Sequence, residues 1–549
     1  MIPGNGYLQS TPLNASASTA GALFSNTTFE IPEFQREYAW GSDEVSEFWS
    51  DLQGSLDSDT YFLGLIILTN QGEGLNSRKD VVDGQQRIIT LSLLATAIYH
   101  EALTRERKAL AERIQADFLR SIDYESDATA PRVKLSDHAD DLTFQSILST
   151  GSGPANLLED GSVSARMVES FEYLKSRLQQ DLRSDPFKRL GRWTDFLTNK
   201  LYFAVFVHPD ASTAYQVYEV INTRGKDLTT ADLLKNYIIS QAPPNQRSER
   251  YKDWRGISKQ FTDEGSNNFV QYIRHVVTAR SGYVLPKDLF GFLAGRITLS
   301  GKIPPTPPQL VGMLQNDLPL YLQMIDPTLG GPAEGSTLEI FSALNSLSVL
   351  AVRPILLATF GVPDALEGMK YALKLVVRRI VVGNLGTGNV ERRLGEAAKS
   401  VYESNDWHVL IDALSDLNPE KDEFVDKLRS RSFNKQVLRF LRSSIIQKAI
   451  APRTNGTLHL IWTRQSAVGA MSDEEGAAWS STIGNTFLSD LERRDKTVTD
   501  WASFKQKMLP RAVNHEWVDR LGEIDEWDAQ AVQTLGAELA QAAGDLWYS

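Results

Sequence analysis

The pattern of apolar and polar residues divides the chain into a mixed first part and a helical second part. Residues 61–68 form a continuous apolar run typical of a buried strand, and residues 201–208 (LYFAVFVH) are β-branched and aromatic in the same way. Apolar residues spaced three and four apart predict a long helix over residues 88–117 and another over residues 165–183. Helical patterns then dominate residues 338–449. Together these patterns predict the α+β fold class.

Length and linker-like segments indicate how the chain is divided. With 549 residues, the protein is longer than one hydrophobic core normally supports. The segment APRTNG at residues 451–456 is typical of a linker, and a short region containing several tryptophans follows it. We therefore predict an α+β domain over residues 1–240, a long helical region over residues 241–450 and a small module over residues 451–549.

Charge and cysteine content narrow the classes of function. The formal net charge of -12 disfavours a protein that coats nucleic acid, although basic patches such as residues 188–192 still permit a nucleic-acid enzyme. The absence of cysteine excludes disulfides and thiolate metal sites. No apolar run is long enough to span a membrane, and the N-terminus lacks the pattern of a secretory signal. We therefore expect a cytoplasmic protein without a membrane partner.

The most informative motif is the turn Asp-Gly-Gln-Gln-Arg at residues 83–87. It follows a short apolar strand at residues 81–82 and opens the long helix. The free N–H groups and the dipole of a helix N-terminus attract anions, and an arginine such as Arg87 binds phosphate through two N–H groups. The same pattern is common in an ordinary helix-opening turn with a surface arginine. On the residues alone, both interpretations stay open.

A second motif, IPEFQREYAW, occupies residues 31–40. It places Gln35 and Arg36 beside the aromatic residues Tyr38 and Trp40. An amide and a guanidinium flanked by aromatic rings can read a base edge, stack on a base or hold a phosphate. On spacing alone, an ordinary strand with its aromatic residues in the core is the favoured interpretation.

A third motif occupies residues 215–237. The segment Asn-Thr-Arg-Gly at residues 222–225 predicts the end of one helix, and Thr229 or Thr230 is expected to cap the next, with Asp232 in its first turn. Capping explains most of these polar residues.

The three motifs in this order strongly resemble the DUF262 family, which includes the N-terminal half of GmrSD-type modification-dependent restriction enzymes and has a ParB/sulfiredoxin-like core. The resemblance covers roughly residues 15–450. It implies a nucleoside triphosphate ligand, with GTP favoured and ATP or CTP as alternatives, together with Mg²⁺ or another divalent cation. The residues that it assigns to this ligand are Asp83, Gly84, Gln85, Gln86 and Arg87. Asp83 is expected to hold the metal ion or orient a water, and the residues expected to contact or sense DNA are Gln35, Arg36, Tyr38 and Trp40.

The C-terminal region resembles the DUF1524 domain, a His-Asn-His type ββα-metal nuclease that usually ends full-length relatives. The resemblance implies that His459 is the catalytic base, that His459 and Asn485 are metal ligands, and that Lys505 takes part in catalysis. Two departures stand out, because Leu458 replaces an acidic residue and Trp462 replaces a proline. A catalytically degenerate module is therefore an open alternative.

Three hypotheses of function follow. The first is an NTP-dependent endonuclease of prokaryotic anti-phage defence, in which an N-terminal NTPase senses modified DNA and licenses a C-terminal nuclease. The second is an NTPase and DNA-sensing regulatory subunit whose C-terminal module does not cut. A third alternative is a nicking enzyme that uses the ParB-like core without nucleotide. The expected partner is DNA carrying a modification, and the apolar helices of the middle region also permit a homo-oligomer.

Overall fold

The computed structural model divides into two compact units, Met1–Gly256 and Ile257–Ser549. It describes the following residues: 15–32, 37–70, 78–122, 127–154, 158–208, 229–261, 267–383, 388–453, 456–464, 468–495, 497–513 and 515–549.

A mixed six-stranded sheet organises the first unit. Its strands are β1 (Ala15–Thr19), β2 (Phe29–Ile31), β3 (Tyr61–Asn70), β4 (Lys79–Asp83), β7 (Val133–Leu135) and β8 (Leu201–His208), and β5 (Arg120–Ile122) and β6 (Thr129–Pro131) form a separate hairpin. The order across the sheet is β1-β8-β3-β4-β2-β7. The β1–β8 and β3–β4 pairs are antiparallel, and the other three pairs are parallel. The central strand β3 therefore lies between β8 and β4, where both of its edges are paired.

Helices bury the sheet and supply most of the core. They are α1 (Ala20–Ser25), α2 (Ser42–Ser55), α3 (Gln85–Thr104), α4 (Lys108–Ile114), α5 (His138–Thr150), α6 (Val163–Asp181), α7 (Pro186–Asp195), α8 (Thr230–Ser240) and α9 (Arg247–Ser258). Helix α3 is apolar on almost every face and is buried along most of its length. Around it, Trp49 stacks on Trp193 with ring centroids 4.9 Å apart. The start of α3 is thus fixed by a rigid core.

The second unit is mainly helical. Its helices are α10 (Asn267–Ser281), α11 (Leu289–Leu293), α12 (Pro307–Ile325), α13 (Ser336–Ser346), α14 (Arg353–Thr359), α15 (Ala365–Val382), α16 (Gly388–Ser404), α17 (Val409–Ala413), α18 (Lys421–Ser430), α19 (Lys435–Gln447), α20 (Asp473–Trp479), α21 (Trp501–Lys507), α22 (His515–Gly522) and α23 (Ala529–Trp547). Two short strands, β9 (Thr457–Leu460) and β10 (Thr486–Ser489), pair antiparallel and pack against α19.

The predicted α+β class, with a helical second half, is confirmed. The strand predicted over residues 201–208 matches β8 residue for residue. The helix predicted over residues 88–117 is instead two helices, because the backbone turns between α3 and α4, where Glu106 has a φ of 54°. The domain boundaries at residues 240 and 450 stay predictions. Among the described residues, every helix is too short or too polar to cross a membrane.

Candidate functional site

The turn at residues 83–87 joins a buried strand directly to a buried helix. Strand β4 ends at Asp83, and α3 begins at Gln85. Between them Gly84 adopts a φ of 93°, in the left-handed region that favours glycine. A Cβ on Gly84 would lie 2.9 Å from the Ile66 side chain and 3.2 Å from the Leu65 carbonyl oxygen. The turn therefore needs glycine for both its backbone angle and its close approach to β3.

Asp83 and Arg87 bring opposite charges together at this turn. Burial raises the pKa of the Asp83 carboxyl, while the Arg87 charge and the Gly84 N–H act in the opposite direction. The Arg87 guanidinium donates from Nη1 to the Leu65 carbonyl at 3.1 Å and lies against Gly64. At Gly64, where φ is 129°, a Cβ would approach Arg87 Cζ to 3.0 Å. Glycine in β3 thus makes room for the arginine of α3.

Gln86 holds the neighbouring chain segment through its side-chain amide. Its Oε1 accepts from the backbone N–H of Ala39 at 2.9 Å and of Trp40 at 3.4 Å, and its Nε2 donates to the Glu37 carbonyl at 3.0 Å. Both ends of the amide are therefore engaged by backbone groups. Gln85 is buried, with 7% of its surface exposed. Gln86 is therefore a positioning residue and Gln85 faces the interior, and the predicted role of these two residues at a nucleotide stays a prediction.

The second motif is only partly described, because Gln35 and Arg36 lie outside the described residues. Tyr38 is 2% exposed, and its hydroxyl lies 2.9 Å from Thr90 Oγ1 and 3.1 Å from Ser170 Oγ. Tyr38 is therefore part of the core in this structure, and its role in contacting or sensing DNA stays a prediction.

Trp40 is half-buried and packs on Phe48, with ring centroids 5.6 Å apart. Its predicted role at DNA stays a prediction. The third motif is also divided, because residues 215–228 lie outside the described residues. Its capping prediction is confirmed at Thr229, whose Oγ1 accepts from the Asp232 N–H at 3.2 Å at the start of α8.

A cavity next to the second motif contains residues that the sequence did not single out. Its apolar floor includes Ile31, Ile89, Leu135 and Val163, and its charged rim includes Glu37, Asp137, Asp140, Lys252 and Arg255. Arg255 pairs with Glu37 at 3.1 Å. Asp140 accepts from Ser164 Oγ at 2.7 Å, and burial raises its pKa, with the charges of Asp137 and Glu37 adding to the increase. Asp137 was readable as the cap of α5, whereas Arg255 carried no sequence signal.

The cavity and the turn are connected through Gln86. Glu37 and Tyr38 line the cavity, and the Gln86 amide holds the backbone from residue 37 to residue 40. Ile89, one turn further along α3, forms part of the cavity floor. The position of the cavity wall thus depends on the start of α3.

The C-terminal candidates are placed differently from the expectation. Asn485 is fully buried; its Oδ1 accepts from the Trp462 N–H at 2.8 Å, and its Nδ2 donates to the carbonyls of Trp462 at 3.0 Å and Ser480 at 2.9 Å. His459 is 8% exposed, and its Nε2 lies 3.0 Å from the Leu491 carbonyl, to which it donates. Burial lowers the pKa of His459, which favours the neutral ring. Both side chains therefore brace the β9–β10 module.

The remaining groups of the predicted nuclease centre are also engaged. Lys505 Nζ donates to the Ile524 carbonyl at 3.0 Å. Asp490, the carboxylate directly after β10, pairs with Arg511 at 2.9 Å. In the part of the chain that the structure describes, no three His, Asp or Glu side chains group closely enough to hold a metal ion. The expected metal centre of His459 and Asn485 therefore does not fit this geometry, because a metal on a DNA phosphate needs open ligands.

Comparison with known protein families gives a match within the first unit. Residues 20–239 match the family described as GmrSD restriction endonuclease, N-terminal domain. This range includes the cavity floor, the turn at residues 83–87 and all three motifs, up to residue 237 of the third. No curated protein matched the chain. The DUF1524 resemblance of the C-terminal module stays a prediction. Over residues 20–239, the chain is therefore similar to the N-terminal domain of GmrSD restriction endonucleases.

Proposed function

We propose that this chain acts in modification-dependent DNA restriction, with its N-terminal domain as a nucleotide-binding sensor of DNA. The family match over residues 20–239 carries the proposal. The geometry of the turn supports it, because Asp83 and Arg87 meet at the start of a long buried helix. GTP is the favoured nucleotide, with ATP and CTP as alternatives.

The residues at the turn fit a nucleotide phosphate and a divalent cation. Gly84 has no side chain with which to cap α3, so the helix start keeps its attraction for an anion. Arg87 would bind the phosphate, and the Asp83 carboxylate would hold Mg²⁺. A bound Mg²⁺ would supply charge neutralisation at the phosphate oxygens. The raised pKa of Asp83 is consistent with a carboxylate whose stabilising cation is the ligand itself.

The proposal is tested by phosphate release with each NTP and Mg²⁺, with and without DNA. Arg87→Ala should lower turnover about 100-fold, the usual effect of removing one aligned charge from a phosphate site. Arg78→Ala is the matched control, because Arg78 also donates to backbone carbonyls, those of Phe29 at 3.3 Å and Pro131 at 3.1 Å. Equal losses in both variants, or no turnover by the wild type with any NTP, would refute the nucleotide assignment.

For the C-terminal module, the second hypothesis is favoured over the first. The engaged amide of Asn485 and the buried ring of His459 support a module that binds DNA or another protein without cutting. The chain would then act as the NTPase and DNA-sensing subunit of a restriction system.

Cleavage of modified phage DNA by wild type, His459→Ala and Arg87→Ala separates the two hypotheses. A sensor subunit should hydrolyse NTP in the wild type and in His459→Ala alike, with no cleavage by either protein. Cleavage that His459→Ala abolishes while NTP hydrolysis persists would instead restore the endonuclease hypothesis. The oligomeric state, measured by light scattering in the same preparations, tests the expected homo-oligomer.

A further inference from the structure

Arg442 is a buried cation that has no counter-ion among the described residues. It lies on α19, and only 2% of its surface is exposed. Burial lowers its pKa to about 10, so it still carries its charge at neutral pH. In the part of the chain that the structure describes, no hydrogen bond or ion pair reaches its guanidinium, and Nε and Nη1 are fully enclosed. A buried charge without a hydrogen bond or an ion pair destabilises the fold unless a group of opposite charge lies beside it.

Other arginines that are similarly withdrawn from solvent in the same unit do have partners. Arg274 pairs with Glu391 at 2.8 Å. Arg378 donates to the Trp547 carbonyl and to Asn418 Oδ1, and Arg353 reaches the Tyr321 hydroxyl. The fold therefore satisfies buried guanidinium groups elsewhere, and Arg442 is an exception that needs a physical explanation.

The Arg442 side chain faces a small cavity lined by apolar groups. Besides Arg442, its lining includes Ile446, Phe487, Leu488, Trp517 and Leu521. The indole of Trp517 lies over the guanidinium, with Cζ 5.5 Å from the ring centroid. The cavity volume of about 10 Å³ corresponds to roughly one water-sized body. Trp517 also lines a second cavity, of about 360 Å³, with Ile445 and Leu546.

We propose that this cavity binds one small inorganic anion of the size of chloride, held by the Arg442 guanidinium. Nη2, the guanidinium nitrogen that is not fully enclosed, would donate to the anion, and the Trp517 ring would form part of the wall of the site. A neutral water could accept one of these hydrogen bonds but would leave the positive charge uncompensated. A nucleotide is too large for the cavity, so the proposal is independent of the nucleotide site proposed for residues 83–87.

Chloride NMR line broadening with the full-length protein tests the site directly. Sodium gluconate keeps the ionic strength constant, because gluconate is too large to enter. The wild type should broaden the chloride line, and Arg442→Met should abolish the broadening. Arg429→Met is the control, since Arg429 is exposed and pairs with Asp426 on the surface at 2.7 Å. Addition of phosphate should leave the broadening unchanged, because phosphate is too large for the cavity, and loss of the broadening on addition of phosphate would contradict a chloride-sized site.

Stability provides an independent measurement. At chloride concentrations of about 100 times Kd, the unfolding equilibrium constant of the wild type should fall about 100-fold, with no change for Arg442→Met. Equal broadening by wild type and Arg442→Met, or none by the wild type, would overturn the proposal and leave Arg442 as a partner of Trp517 alone. Should Arg442→Met not fold, bromide anomalous scattering in wild-type crystals decides the question. A peak beside the guanidinium supports the site, and its absence refutes it.

Discussion

Replacing Gln86 with alanine tests whether this side chain holds the aromatic motif in place. The substitution removes hydrogen bonds to the N–H groups of Ala39 and Trp40 and to the Glu37 carbonyl. A hydrogen bond contributes about 1 kcal/mol net, and the bond to Trp40, at 3.4 Å, is the weakest of the three. We therefore expect local opening of residues 37–40 to become easier by about 2 kcal/mol, which corresponds to roughly a 30-fold faster exchange of their amides.

Hydrogen exchange followed by mass spectrometry measures this effect in peptides covering residues 37–40. Gln179→Ala is the matched control, because its amide makes a single bond, to Glu101 Oε1 at 2.8 Å, away from the motif. The control should leave exchange at residues 37–40 unchanged. If Gln86→Ala exchanges there no faster than the control, the amide does not position this segment. The assignment of Gln86 as a positioning residue would then be wrong.

Three further substitutions test other parts of the structure. Gly84→Ala should lower the free energy of unfolding by about 1–3 kcal/mol in urea titrations, because the backbone φ of Gly84 is 93° and a Cβ there would lie 2.9 Å from Ile66. Gly54→Ala in α2 is the control and should not lower the free energy of unfolding, because a Cβ at Gly54 meets nothing within 4 Å. Burial raises the pKa of Asp83, so the folded domain holds this proton more tightly than the unfolded chain does. Stability should therefore fall as pH rises from about 4, the usual pKa of an aspartate, through the raised pKa of Asp83, and Asp83→Asn should flatten this dependence in the same titrations. Asn485→Ala should destabilise the second unit by about 3 kcal/mol in thermal unfolding, because it leaves three buried backbone groups unpaired, and an unchanged midpoint would contradict the bracing role.

The sequence was sufficient to predict an element correctly where the local residue pattern agrees with the burial of that element. Strand β8 was predicted with correct ends, because its apolar run is buried on the sheet and ends at a polar segment. The turn at residues 83–87 was also recognised, since strand, glycine and helix follow one another within five residues. The cap at Thr229 is another local interaction and needed no tertiary information.

The sequence was insufficient to predict the role of a residue where that role depends on contact with a distant segment of the chain. Nothing local in residues 83–87 indicates that Gln86 reaches the backbone of residues 37–40. The charged cavity rim combines Glu37, Asp137 and Arg255, which lie far apart in the chain. Asn485 occupied the position of a metal ligand in the resemblance, but its role depends on the backbone of Trp462 folding beside it. Such roles depend on tertiary contacts and cannot be derived from spacing.

The connection through Gln86 has a consequence for communication within the domain. One rigid amide joins the start of α3 to residues 37–40, so the two segments cannot move independently without breaking its bonds. A ligand that displaces either segment must therefore either move the other segment too or supply the free energy needed to break the hydrogen bonds of Gln86. Thermodynamic linkage makes this effect reciprocal. If a ligand in the cavity changes the affinity for a ligand at residues 83–87 by some factor, the ligand at residues 83–87 changes the affinity of the cavity by the same factor. A single glutamine side chain is therefore long enough to couple ligand binding at the turn to ligand binding in the cavity.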